Sequence, residues 1–297
     1  MEARPRSCRS PPMNAFTKHD RHDALEVPMS MLFPLPVLRR GAQAATWLFT
    51  ASPHLCVGRP EQRFLFGGTA FAACIGAMEQ TLNLPVNFAS AQFIAFAQPH
   101  DELTLSVELL ADGKSTKQAR VSIRKDDGLI LTAQAALGRR ASSIVQQSTA
   151  VPDVPAPLDC PSASMARLLS SNINNLFEVR LARGRLPGAE PWNGPAPGPI
   201  LFWVRARDGT PLSREALAIF GDFFSIGISA AIGRNASGNS LDNHIRFIAP
   251  PDGEWLLCMI EIEAVRDGIV HGNMRQFGQD GQLFAIASQS MILRVRE

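Results

Sequence analysis

The stretch AIFGDFFSIGISAAIG (218–233) carries one charge in sixteen residues, and that charge is Asp222. A carboxylate among Phe, Ile, Ala and Gly is costly to bury, so its presence asks for a reason. Upstream, FLFGGTAFAACIGAM (64–78) has the same apolar, small-residue character, with Gly68 where the acid would sit. Both segments read as helices that are apolar nearly all round, the signature of a buried helix.

The likeness extends beyond these two segments. Phe66-Gly67 and Phe220-Gly221 lie 154 residues apart, as do FIA at 93–95 and FIA at 247–249. The DG turns at 127–128 and 280–281 lie 153 apart. Three landmarks in register, with a single gap, mark two copies of one module. In each copy the helix is followed by alternating segments suited to half-buried antiparallel strands. DELTLSVEL (101–109) puts Leu103, Leu105, Val107 and Leu109 on one face, and ARVSIR (119–124) alternates too. A DG turn of hairpin type then precedes LILTAQAAL. The second copy offers LLCMIEIE (256–263), VHGNMRQF (270–277), QLFAIAS (282–288) and MILRVR (291–296).

These elements predict a disordered tail over 1–23, a first module over 24–143 and a second over 173–297. A Pro- and Ser-rich connector occupies 144–172. A buried helix followed by a run of antiparallel strands suggests a sheet curled around that helix. The expected class is α+β, a hotdog arrangement present in tandem, with two antiparallel sheets each wrapped around a central helix. Any other α+β protein with a duplicated helix-plus-sheet unit fits the same pattern.

Composition narrows the function classes. With 45% hydrophobic and 19% charged residues, the 297-residue chain is globular and holds one large domain or two ordinary ones. A formal charge of +2 and the lack of a basic-aromatic stripe argue against nucleic acid as a partner. Five scattered cysteines without metal-ligand spacing suggest reduced thiols and a cytoplasmic location. No uninterrupted apolar run has the length of a membrane span.

The sequence has no G-x-S-x-G elbow, P-loop, G-x-G-x-x-G or H-E-x-x-H, and its six histidines are dispersed. Aligning the two copies shows where the second is polar and the first is not. Asp222 falls opposite Gly68, Ser240 opposite Val86, Asp242 opposite Phe88 and Gln289 opposite Ala136. Taken singly, each has a plain structural reading: Asp222 a helix cap, Ser240 a turn residue, Gln289 a satisfied strand amide. Asp242 reads as a backbone-bonding residue near a turn, and His244 as a packing residue.

FLFGG followed by an Ala-rich helix, with FGD, LDNHIRF, GEWLL and QDGQLFAIASQ in the second half, resembles the acyl-CoA thioesterase II family of double-hotdog enzymes. The resemblance covers roughly residues 40–297, interrupted across the connector. It implies hydrolysis of an acyl-CoA substrate to free acid and coenzyme A, with no metal or redox cofactor. It also implies that Asp222, Ser240 and Gln289 position the hydrolytic water, which attacks without an acyl-enzyme. A backbone N–H at Gly67 or Gly68 is the expected donor to the oxyanion. Three departures stand out. Ser240 replaces a Thr, the family's D-H-S reads Asp242-Asn243-His244, and a strand with paired histidines reads FASAQFIAFAQP. The alternatives are an acyl-CoA-binding protein with little turnover and an enoyl-CoA hydratase, whose Asp/His segment DNHIRF lacks. A homo-oligomer is left open.

Overall fold

A computed structural model describes residues 36–59, 61–163, 173–186 and 198–295. The tail expected over 1–23 lies outside them, as does part of the connector. The first module contains β1 (Arg39–Arg40), β2 (Thr46–Thr50), β3 (Cys56–Arg59), β4 (Gln62–Leu65) and α1 (Gly67–Leu82). It continues with β5 (Val86–Phe93), β6 (Glu102–Asp112), β7 (Lys117–Lys125) and β8 (Gly128–Leu137). The rest of the chain forms β9 (Ser162–Ala163), β10 (Phe177–Arg183), β11 (Ile200–Ala206), α2 (Arg214–Phe220) and α3 (Ser225–Ile232). After these come β12 (Ala236–Ser240), β13 (Asp242–Phe247), β14 (Leu256–Arg266), β15 (Ile269–Phe277) and β16 (Leu283–Val295).

The two modules share one antiparallel sheet, ordered β1-β2-β6-β7-β8-β5-β13-β16-β15-β14-β11-β10-β9, with β12 also paired to β16. Its centre is the β5–β13 seam, where His244 pairs with Ser90 and Asp242 with Gln92. His244 and Ser90 are 154 residues apart, so equivalent residues face each other and the pseudo-twofold axis crosses the sheet here. Each half curls around its own apolar helix, which is the double-hotdog architecture. From Gly68 to Met78 every residue of α1 is buried. The stretch Arg214–Ile232 is long and apolar enough to cross a membrane by composition, yet most of it is buried as the second core.

Three local expectations need correction. The second helix is not continuous: α2 ends at Phe220, and 221–224 form a turn before α3. Residues 283–288 and 291–295, expected as two strands, belong to one strand, β16, with Gln289 in its interior. The strand registers also correct the repeat alignment. His244 pairs with Ser288 as Ser90 pairs with Gln134, so the offset in the last strand is again 154. Gln289 therefore stands where the first module has Ala135, not Ala136. The residue lost in the loop before β14 is regained in the turn before β16.

From Gln147 to Ala163 the chain runs against the outer face of the second module. The Gln147 side chain accepts the Leu283 N–H at 2.7 Å and donates to Gly281 O at 3.0 Å. Trp203 Nε1 donates to Pro155 O at 3.0 Å. Cys160 is buried with Trp203, Trp255, Leu257 and Phe277.

Candidate active site at the module interface

The second helix breaks in a defined way. Over 222–227 its N–H groups bond three residues back: Asp222 to Ile219 O, Phe223 to Phe220 O, Ile226 to Phe223 O and Gly227 to Phe224 O. This tightened winding lifts Asp222 off the line of its own helix. Phe223 anchors the turn, with its ring edge-on to Phe66, Phe177 and Phe220 at 5.5–5.8 Å.

The Asp222 carboxylate does not cap its own helix, as its position in the sequence suggested. It caps the helix of the other module. Its Oδ2 accepts the Gly68 N–H, in the first turn of α1, at 2.7 Å. Its Oδ1 accepts from Ser240 Oγ at 3.2 Å and from Gln289 Nε2. The three residues proposed from the repeat comparison thus converge, from the helix break, the end of β12 and the middle of β16. The positive end of α1 favours a negative charge at this point. Burial works against it and wins: the carboxyl is pushed up to about 6, although Gln289, Gly68 and Ser240 pull the other way.

Gly68 and Asp222 are equivalent in the repeat and touch across the axis. A Cβ on Gly68 would lie 2.7 Å from Ile219 O and 2.9 Å from Asp222 Cβ. A Cβ on Gly67 would lie 2.8 Å from Asp222 Oδ2. Only one of the two modules can carry a side chain at this place, and two carboxylates here would repel each other. The asymmetry between FGG and FGD is therefore a packing requirement.

A cavity of about 450 Å³ opens beside the carboxylate. The first module lines it with apolar groups, including Val57, Phe64, Phe93, Ile94, Phe96 and Ile130. The second module contributes the polar groups Asp222, Ser225, Ser237, Asn239 and Ser240, with Phe223 and Ile226 beside them. Gly67 is on the wall, whereas Gln289 is not. Gln289 lies behind the carboxylate and orients it. The Gly68 N–H is already taken by Asp222, so it is not the oxyanion donor expected from the sequence. Gly67 N–H has no acceptor among the described residues. Asp242 accepts the Ser290 N–H at 2.6 Å, and its other oxygen meets His244 Nε2 at 3.2 Å. Strand alternation turns both away from the cavity. Among the described residues no group of three or more His, Cys, Asp or Glu is arranged to hold a metal ion.

The acyl-CoA thioesterase N-terminal domain model matches residues 57–138, and the C-terminal domain model matches residues 152–293. The chain belongs to the acyl-CoA thioesterase family. A solved structure assigned as a thioesterase, from Novosphingobium aromaticivorans, is 33% identical with a TM-score of 0.78. That match covers 88% of this chain and 99% of the other. The fold is shared with acyl-CoA thioesterase II from Mycobacterium marinum, at 20% identity and a TM-score of 0.67 over 88% of this chain and 97% of that one. It is also shared with a hot dog protein from Alicyclobacillus acidocaldarius, at 19% identity and a TM-score of 0.75 over 88% and 96%. No curated protein matches the chain.

Sequence reading missed two residues of this acyl-CoA thioesterase-family site. Asn243, on β13, donates Nδ2 to Gly221 O at 3.1 Å, and Gln276, on β15, donates Nε2 to Leu217 O at 2.9 Å. The repeat comparison contained the signal. In the register of the sheet they stand opposite Ala89 and Ile123 of the first module.

Proposed function

We propose that this protein hydrolyses acyl-CoA thioesters to a free acid and coenzyme A, using a water activated by Asp222. The observation that carries the reading is a buried carboxylate held by Ser240, Gln289 and the Gly68 N–H on the wall of a two-sided cavity. With its carboxyl raised to about 6, Asp222 is mostly ionised at neutral pH and still basic enough to take a proton from water. Ser240 and Gln289 fix the direction of the accepting oxygen. The water attacks the thioester carbonyl directly, and Asp222 takes its proton. The Gly67 N–H, at the positive end of α1, is the donor assigned to the developing oxyanion.

Breakdown of the tetrahedral adduct expels the coenzyme A thiolate. Free thiols have pKa values near 8.5, so this leaving group needs little acid assistance. The chemistry of the walls suits the substrate: an apolar side from the first module for the acyl chain, and Ser and Asn groups from the second for the amide-bearing pantetheine arm. The test is release of free thiol from short-, medium- and long-chain acyl-CoAs. Asp222→Asn should lower kcat on the order of a hundredfold or more in a folded protein. Binding of every acyl-CoA without thiol release would favour a binding protein instead.

A further inference from the structure

The inner face of the second module's half of the sheet carries three buried amides on adjacent strands, Asn243 on β13, Gln289 on β16 and Gln276 on β15. All three turn toward the interrupted helix. Asn243 and Gln276 are 1% and 0% exposed, and neither lines the cavity. A buried amide among apolar neighbours is destabilising unless it meets a partner that needs it. For Asn243 and Gln276 that partner is a backbone carbonyl of the helix that breaks. The tightened winding over 222–227 leaves Gly221 O without the N–H four residues on, and Asn243 Nδ2 takes it. Gln276 Nε2 adds a second donor to Leu217 O, which already accepts the Gly221 N–H at 2.8 Å. In the first module the corresponding strands present Ala89 and Ile123, and the helix over them, α1, runs unbroken from Gly67 to Leu82.

We propose that Asn243 and Gln276 are positioning residues. By holding the carbonyls of Gly221 and Leu217, they keep the helix broken at 221–224 and so aim the Asp222 carboxylate across the module boundary at Gly68. The assignment rests on Asp222 being the base of the proposed hydrolysis. Its structural part, the aim of the carboxylate, stands apart from the reaction. The groups bonded to that carboxylate, on α1, β12 and β16, are Gly68, Ser240 and Gln289, none of which titrates. Asp242 and His244 project from the opposite face of β13. The Asn243 amide also helps hold the Asp222 carboxyl down against the effect of burial.

The test follows the Gly68 amide, because its N–H is bonded to Asp222 and its resonance reports that carboxylate in the full-length protein. In wild type the Gly68 amide should titrate with a midpoint near 6. Asn243→Ala should move that midpoint upward and lower kcat by about tenfold or more with KM little changed, since a carboxylate misplaced by a fraction of an ångström loses its near-attack geometry. Gln276→Met keeps the side-chain volume, so it serves if Asn243→Ala does not fold. It should reduce the downfield shift of the Gly68 amide and lower kcat in the same way. A filler role would lower Tm and leave the Gly68 resonance and the pH profile of the folded variants as in wild type. That result would overturn the assignment. An altered Gly68 titration in a protein that releases no thiol from any acyl-CoA would uphold the positioning role and remove the thioesterase reading instead.

Discussion

Replacing Asp222 by Asn exchanges a buried charge for a buried amide, and the stabilities of the two proteins should diverge with pH. Burial pushes the Asp222 carboxyl from 3.8 to about 6 in the folded protein. The folded state therefore binds this proton more tightly than the unfolded chain does. The stability that comes with the proton is fully present below about pH 4 and is lost as pH rises through 6. At roughly 1.36 kcal/mol per pKa unit, the loss amounts to about 3 kcal/mol by neutral pH. The Asn variant has no such dependence. Its amide oxygen can still accept the Gly68 N–H. Rotating the Gln289 amide by half a turn would present Oε1, which has no partner in the wild type, to the new N–H group. The variant should thus gain on wild type by about 2 kcal/mol between pH 4 and 7 and melt on the order of 5 °C higher at pH 7, while hydrolysing acyl-CoA poorly. Urea unfolding followed by tryptophan fluorescence, at constant ionic strength across that range, measures the difference. A difference that does not vary with pH would show that Asp222 does not titrate there. One that grows in favour of wild type would show that the hydrogen bonds outweigh burial and hold the carboxyl below 3.8.

Gly68→Ala places a methyl group 2.7 Å from Ile219 O and 2.9 Å from Asp222 Cβ, so α2 must retreat. It should destabilise the protein by about 1–3 kcal/mol and lower kcat, read by thermal melts and thiol release. Ser240→Thr keeps the hydroxyl that donates to Asp222 and should retain activity, whereas Ser240→Ala should lose it; equal rates for the two would deny the hydroxyl a role. Gln289→Ala should lower kcat much more than it raises KM, because the amide touches the carboxylate and not the cavity. Titration with a non-hydrolysable thioether analogue of an acyl-CoA should give one site per chain, since only one module can carry the acid at the axis.

The duplication was legible from the sequence because a buried helix must be apolar all round and a curled strand must alternate. Both demands leave periodic marks that survive divergence. The acid at 222, the hydroxyl at 240 and the amide at 289 were legible for a related reason. They are polar groups where the fold's first copy shows that an apolar residue suffices. What the sequence could not show was the partner of Asp222. Its helix-start position suggested a cap on its own helix, but close packing across the pseudo-twofold axis brings it to the helix of the other module, 154 residues away. Nor could local propensity place the break at 221–224. Gly221 is compatible with a turn, yet the carbonyl released there, Gly221 O, is taken by Asn243, and Gln276 adds a second donor to Leu217 O, from strands more than twenty and fifty residues onward. The register of β16 was likewise settled by pairing, where two one-residue length changes cancel and the eye sees a single gap. Patterning is a property of each segment and can be read from that segment alone. The direction of a side chain depends on what surrounds it, and here that was decided only when the two halves closed on each other.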